Sequence, residues 1–225
     1  MKIIGHRGAR GLAPENTIAG MKKGLENHVD ELEFDLRVTK DNIVILHHDR
    51  ELHDSNSGKH KISESTYQEL LEHKSDLATF AQVFEAISQS VKFHIEVKPE
   101  EALKPIISIL NEKLAGGWPA QKLLIGSKSQ NTLLEIQNAL PDLPLVVIEP
   151  WSGVRAHLRA RKLGTKRISM NQRWLWWGFI RGFKRNDWRL YAYTLNDPVK
   201  AKRWAKYGLY GVITDYPDRF ESKKI

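Results

Sequence analysis

Eight short β-rich runs, separated by helix-length stretches, constrain what this chain of 225 residues can fold into. They lie at residues 2–6, 31–37, 93–98, 123–127, 145–149, 167–171, 190–194 and 211–215. Between most of them fall amphipathic segments, at 17–27, 80–88, 103–114, 133–140 and 198–207, whose apolar residues recur at three and four (Val83, Ile87; Ile106, Ile109, Leu110; Leu133, Ile136, Leu140). Alternation of this kind predicts a (β/α)8 barrel, a little shorter than the ~250 residues usual for that fold. With no linker-like shift in composition, residues 1–225 read as a single domain. A small hairpin and loop region at about 40–75 interrupts the pattern.

That region begins with a further strand-like run at 42–48, too close to the second strand for a parallel crossover, so the pair should be an antiparallel hairpin. With Asp41-Asn42 as a two-residue turn, Asp35 faces His48 and His47 points away. A slip of one residue would exchange the two histidines.

The chemistry is carried by acids in apolar strands. Glu33 and Asp35 sit two residues apart in Glu31-Leu32-Glu33-Phe34-Asp35-Leu36, so a strand projects both from one face. Glu96 has the same setting in Phe93-His94-Ile95-Glu96-Val97-Lys98. Like charges buried together need a cation or a proton, and an all-oxygen set suits Mg²⁺ or Ca²⁺. In a barrel, functional groups gather at the C-terminal strand ends. His6 and Arg7 close the first strand there, Lys98 closes the third, and the hairpin returns His48 to the same rim. Histidine moves protons near neutral pH, while Arg7 and Lys98 can offset phosphate charge.

Cysteine is absent, which excludes disulfides and thiolate sites. The first residues carry no apolar signal region, and no apolar run is long enough to span a membrane, so a cytoplasmic location is expected. The net charge of +8 favours anionic partners. Arg155, Arg159, Arg161, Lys162, Lys166 and Arg167 raise a nucleic-acid or anionic-surface binder as an alternative, against which stands the lack of any nucleic-acid motif. Nucleic acid is therefore not expected as a partner.

Ile4-Gly5-His6-Arg7-Gly8, Pro14-Glu15-Asn16-Thr17, Glu33-Phe34-Asp35, His48-Asp49 and Ile95-Glu96-Val97-Lys98, in that order and spacing, resemble the glycerophosphodiester phosphodiesterase family. Tyr193-Thr194-Leu195-Asn196 and 211–218 are similar to its last two strands, and residues 103–189 match by layout only. The resemblance implies a barrel of the phospholipase C-like phosphodiesterase type. It also implies a metal-dependent hydrolase that converts glycerophosphodiesters to glycerol 3-phosphate and an alcohol. By the same resemblance His6 and His48 are the acid–base pair, Glu33, Asp35 and Glu96 hold one Mg²⁺ or Ca²⁺, and Arg7 and Lys98 contact phosphate. Asn16 is either a helix cap or a polar site residue, and Tyr193, where the family commonly has tryptophan, is a further accessory candidate. His94 shares the face of Glu96 and reads as a structural histidine, with an accessory site role as the alternative. After His48-Asp49 the family's arginine-threonine-threonine stretch is replaced by Leu52-His53-Asp54-Ser55-Asn56-Ser57-Gly58, which bears on substrate preference. A lysophospholipase D acting on acylated diesters is the related alternative.

Three of seven tryptophans fall at 173–185 among arginines and phenylalanines. Wound as a helix, this stretch is apolar around most of its circumference. It suits either a peripheral membrane contact through 174–183 or an ordinary barrel helix.

Overall fold

A computed structural model describes residues 1–54 and 58–220; Ser55, Asn56 and Ser57 of the divergent stretch lie outside the described residues. Eight parallel strands close into a barrel in the order β1 (Lys2–Gly5), β2 (Glu31–Val38), β6 (Lys92–Val97), β7 (Leu123–Ser127), β8 (Leu145–Glu149), β9 (Arg167–Asn171), β10 (Arg189–Tyr193) and β11 (Gly211–Thr214). The ring shuts because β1 pairs with both β11 and β2. The helices α1 (Ile18–Glu26), α3 (Phe80–Ala86), α4 (Leu103–Ala115), α5 (Gln130–Ala139), α6 (Gly153–Lys162), α7 (Trp177–Arg185) and α8 (Pro198–Tyr207) intervene between strands. Among the described residues, no helix is long and apolar enough to cross a membrane.

Strand alternation divides the residues into two layers. Leu32, Phe34, Leu36, Phe93, Ile95, Val97, Leu123, Ile125, Val147, Ile168 and Val212 face outward into the main core under the helices. A smaller apolar cluster of Ile4, Leu124, Val146, Tyr191 and Ile213 fills the inside of the barrel. All eight residues of β2 are buried, so its inward set (Glu31, Glu33, Asp35, Arg37) brings charge into the interior. Helix ends follow local chemistry. Thr79 and Gln82 form a reciprocal capping box at α3. Asp197 caps α8 with Pro198 in its first turn, and Gly208 ends it in the left-handed region at φ 103°.

The excursion after β2 carries β3 (Val44–Leu46), β4 (Glu51–His53), β5 (Lys59–Lys61) and α2 (Tyr67–His73). β3 is antiparallel to β2, as expected, but the register differs from expectation by one: Leu36 pairs with Leu46 and Val38 with Val44. The loop holds three residues, not two. Thr39 N donates to Ile43 O and Asn42 N to Thr39 O, with Asn42 in the left-handed region at φ 63°. Asparagine tolerates that region, so a turn closed by Asn42 competes with the two-residue form. In this register Asp35 lies opposite His47, whose N donates to Asp35 O.

Candidate active site

The segment after β1 folds back tightly over the barrel mouth. His6 N donates to Thr214 O and Gly8 N to Glu33 O. Arg7 adopts φ 50° and Gly8 φ 88°. A Cβ on Gly8 would come within 2.5 Å of the Gly20 backbone, so glycine is required there both by conformation and by the approach of α1. The same coil aims the Arg7 backbone N at Glu33 Oε2, at 2.8 Å.

Glu33, Asp35 and Glu96 converge, each with a ligand oxygen within 4.8 Å of the others. Their register explains it: β2 and β6 pair Asp35 directly with Glu96. Lys98 Nζ bridges them, 2.5 Å from Asp35 Oδ1 and 2.8 Å from Glu96 Oε1. Arg7 Nε lies 3.3 Å from Asp35 Oδ2. Burial raises the Asp35 carboxyl, but Lys98, Arg7 and His48 outweigh it and hold it well below the usual carboxylate range. Glu96 is likewise depressed against its burial, chiefly by Lys98. Glu33 is the exception: burial and the neighbouring Asp35 charge push it up. A buried set of three carboxylates, one of them short of positive charge, fits a hard divalent cation coordinated through oxygen.

Both histidines are backed by a carboxylate. His6 Nδ1 lies 2.5 Å from Asp215 Oδ1 and His48 Nδ1 lies 2.7 Å from Asp49 Oδ1. An ionised carboxylate only accepts, so Nδ1 donates in each case and Nε2 is left for proton transfer. Asn196 Nδ2 donates to Asp215 Oδ2, fixing it from the other side. Burial raises Asp215, yet the His6 and Asn196 hydrogen bonds keep it below its usual value. Burial holds the His48 imidazole below its ordinary value against the pull of Asp35.

His48 reaches this position although the ladder register does not put it there. Pairing ends at Leu46, and the chain then turns so that the Arg37 guanidinium donates to His48 O from Nη2 at 3.0 Å. Glu101 holds Arg37 in turn. His47 is half-buried instead, its Nε2 3.2 Å from Glu51 O. Asn16 is not the helix cap. Thr17 caps α1, and Asn16 clamps Asp35, its Nδ2 donating to Oδ2 and its Oδ1 accepting from Asp35 N. Tyr193 lines the hollow with His6, Glu33 and Glu96. Its buried hydroxyl finds no hydrogen-bond partner among the described residues, and burial and nearby negative charge keep it protonated. His94 lines the same hollow, edge-on to Tyr191 and 3.8 Å from Glu31.

Sequence reasoning missed Asp215, Asn196, Arg37 and Lys128, the last 3.0 Å from Glu96. Asp215 and Lys128 each follow the last residue of a barrel strand, so the strand-end rule that selected His6 could have found both. Two arginines of the basic cluster are tied to an internal acid. Arg155 and Arg159 pair with Glu149, whose side chain is 0% exposed, at distances of 2.6 and 3.3 Å.

The family model for "Glycerophosphoryl diester phosphodiesterase family" matches residues 6–219. A glycerophosphodiester phosphodiesterase of Bacillus subtilis is 26% identical over 251 residues, covering 98% of this chain and 85% of that protein. An Oleispira antarctica phosphodiesterase, solved in complex with the product sn-glycerol-3-phosphate, superposes with a TM-score of 0.86. It is 25% identical, with 98% of this chain and 95% of that one covered. A Thermotoga maritima glycerophosphodiester phosphodiesterase shares the fold at a TM-score of 0.80 and 23% identity, with coverages of 98% and 96%. By contrast, a mouse lysophospholipase D is 28% identical over 80 residues, 36% of this chain and 24% of that protein.

The raised Glu33 carboxyl has a testable consequence for stability. A group whose pKa is raised on folding contributes stability that is fully present below its unfolded value and lost as pH rises through its folded value. In excess chelator the melting temperature should therefore fall as pH rises from about 4.3, the free glutamate value, through the folded pKa. Glu33→Gln should remove that fall and melt roughly 2–4 °C higher at neutral pH, the shift that about 1 kcal/mol makes in a domain of this size. A Glu33→Gln protein less stable than wild type in chelator at every pH would contradict the assignment.

Proposed function

The chain belongs to the glycerophosphoryl diester phosphodiesterase family, and from that premise we propose that it hydrolyses deacylated glycerophosphodiesters to glycerol 3-phosphate and an alcohol, using one divalent cation, Mg²⁺ or Ca²⁺. It is a phosphoric diester hydrolase. One observation carries the fuller reading: three carboxylates and two carboxylate-backed histidines meet at a single mouth. Whole-length relatives named as phosphodiesterases support a deacylated substrate over the lysophospholipase D alternative.

In this reading Glu33, Asp35 and Glu96 hold the cation. When bound, it would offset charge on the phosphate and acidify a nearby hydroxyl. Arg7 and Lys98 supply further positive charge to the nonbridging oxygens. One imidazole Nε2 takes the proton of the glycerol 2-hydroxyl as that oxygen attacks phosphorus. The other gives a proton to the departing alcohol oxygen as its bond to phosphorus breaks, leaving a cyclic glycerol phosphate. Water then opens the ring with the two histidines in exchanged roles. Asp215 and Asp49 keep each imidazole in the required tautomer. Asn16 fixes the Asp35 carboxylate, and the protonated Tyr193 hydroxyl is a donor for a substrate oxygen.

Excess chelator should abolish glycerol 3-phosphate release from glycerophosphocholine and glycerophosphoethanolamine, and added Mg²⁺ or Ca²⁺ should restore it. His6→Ala and His48→Ala should each lower kcat by roughly 10²–10⁴-fold, whereas His47→Ala keeps most of its turnover. Bis(p-nitrophenyl) phosphate, which lacks the attacking hydroxyl, should be a poor substrate. Full turnover in chelator, or an essential His47 with a dispensable His48, would refute the scheme.

The tryptophan-rich segment supports contact with an anionic lipid surface. Only part of it is helical: α7 starts at Trp177, and Trp174 sits in a preceding single turn. Phe179 and Phe183 pack against the core, but Trp174, Trp176 and Trp177 are 52, 58 and 56% exposed. Trp151 and Val154, exposed beyond β8, lie on the neighbouring sector, where Gly153 abuts the Phe179 ring. These loops leave the C-terminal strand ends, and Arg173 and Arg181 flank the tryptophans, a composition suited to anionic headgroups. Replacing Trp174, Trp176 and Trp177 with serine should abolish cosedimentation with phosphatidylglycerol vesicles and leave glycerophosphocholine hydrolysis near normal. Equal sedimentation of variant and wild type would exclude this surface.

A further inference from the structure

Away from the barrel mouth, the excursion between β2 and β6 brings together three side chains that the phosphodiesterase reaction does not use. Asp54 follows β4, His60 sits in β5 opposite Leu52, and His73 is the last residue of α2. His60 Nε2 and His73 Nδ1 each lie 3.3 Å from the same oxygen, Asp54 Oδ2. The two imidazoles stack with ring centroids 3.6 Å apart and planes inclined by 21°.

From this geometry we infer a second divalent-metal site, formed by Asp54, His60 and His73 and selective for a zinc-like transition metal. Imidazole–carboxylate hydrogen bonds that carry charge are commonly about 2.7–2.9 Å long, as at His48–Asp49. The His60 and His73 contacts to Asp54, at 3.3 Å, are longer. They match instead the spacing of ligands around a tetrahedral ion: donors roughly 2.0–2.1 Å from the metal stand about 3.3 Å from one another. All three ligand atoms also lie within 4.8 Å of each other. Stacked imidazoles both aimed at one point gain when the ion between them and the carboxylate supplies positive charge that neither ring carries when neutral.

The surroundings orient the ligands. Gly58 N donates to Asp54 Oδ1 at 2.7 Å, turning Oδ2 toward the histidines. A Cβ on Gly58 would come 2.5 Å from that Oδ2, so glycine keeps the approach clear. A small apolar core of Ile45, Leu52, Ile62, Leu70 and Leu77 fixes the three elements beneath. Side-chain exposures of 14, 28 and 32% for Asp54, His60 and His73 put the cluster within reach of solvent.

The two clusters differ in kind. Glu33, Asp35 and Glu96 offer oxygen alone and suit a hard cation; two imidazoles and one carboxylate suit zinc and its neighbours. An ion at Asp54 would staple the β4–β5 hairpin to α2. Ile45 of that core lies on β3, just before His48, so the staple would steady the segment from which His48 projects.

The test is Co²⁺ and Zn²⁺ titration of the full chain in excess Mg²⁺, read by visible absorption and by melting temperature. Wild type and Glu33→Gln should both bind one ion, show the intense visible bands of a tetrahedral Co²⁺ centre, and melt higher with Zn²⁺. His73→Ala and His60→Ala should lose those bands and weaken binding roughly tenfold or more. His73 ends an exposed helix turn, so His73→Ala keeps the fold, which its circular dichroism checks, and its Mg²⁺-supported turnover stays near wild type. In wild type, long-range proton–nitrogen spectra should shift His73 Nδ1 and His60 Nε2 on Zn²⁺ addition. Bands that persist in His73→Ala, vanish in Glu33→Gln, or fail to appear in wild type would overturn the site, and none of these outcomes bears on the phosphodiesterase reading.

Discussion

Everything at the barrel mouth depends on how three buried carboxylates are kept together. Charges of one sign packed this closely in a poorly solvated interior destabilise the fold unless they are compensated. Lys98 compensates Asp35 and Glu96 at 2.5 and 2.8 Å, and Arg7 adds a second charge beside Asp35. Glu33 receives the Arg7 backbone N and the distant His6, and its carboxyl remains raised. Glu33 is thus the member of the cluster with least positive charge around it. Uncompensated, such an arrangement costs stability, as the raised Glu33 carboxyl shows.

The barrel makes this tolerable by separating functions between its layers. Outward residues of every strand join the large core under the helices, while the interior holds only a small apolar plug topped by ionisable groups. The three carboxylates stand within β2 and β6, and the groups around them, His6, Arg7, Lys98, Lys128 and Asp215, come from the residues directly after a strand. Their positions are therefore fixed by the hydrogen-bonded ladder rather than by long flexible segments. The carboxylates behind His6 and His48 come from unrelated places, β11's exit and the hairpin, yet provide the same Nδ1 contact.

The eight strands and the acid cluster were legible in sequence because period-two alternation survives in β2 and β6 even where charge replaces apolar residues inside. The hairpin was legible as a hairpin but not in its register, since the competition between a two- and a three-residue turn is decided by Asn42 accepting a left-handed backbone. His48 was selected through a ladder that ends two residues before it; the Arg37 contact to its carbonyl, absent from any local pattern, is what turns it inward. Asn16 was ambiguous because asparagine serves both caps and sites, and Thr17 takes the cap. Asp215 obeys the same strand-end rule as His6, whereas the Glu149–Arg155 pair depends on an approach between a strand end and a helix that local sequence patterns do not encode.

The central claim, that the three carboxylates form a cation site at the reacting end of the barrel, is tested most directly by anomalous diffraction from crystals grown with Mn²⁺ and glycerol 3-phosphate. A single anomalous peak between Glu33, Asp35 and Glu96, in contact with the phosphate, is the result predicted here. Product bound at the mouth with no peak among the three acids, and Lys98 alone bridging Asp35 and Glu96, would contradict it.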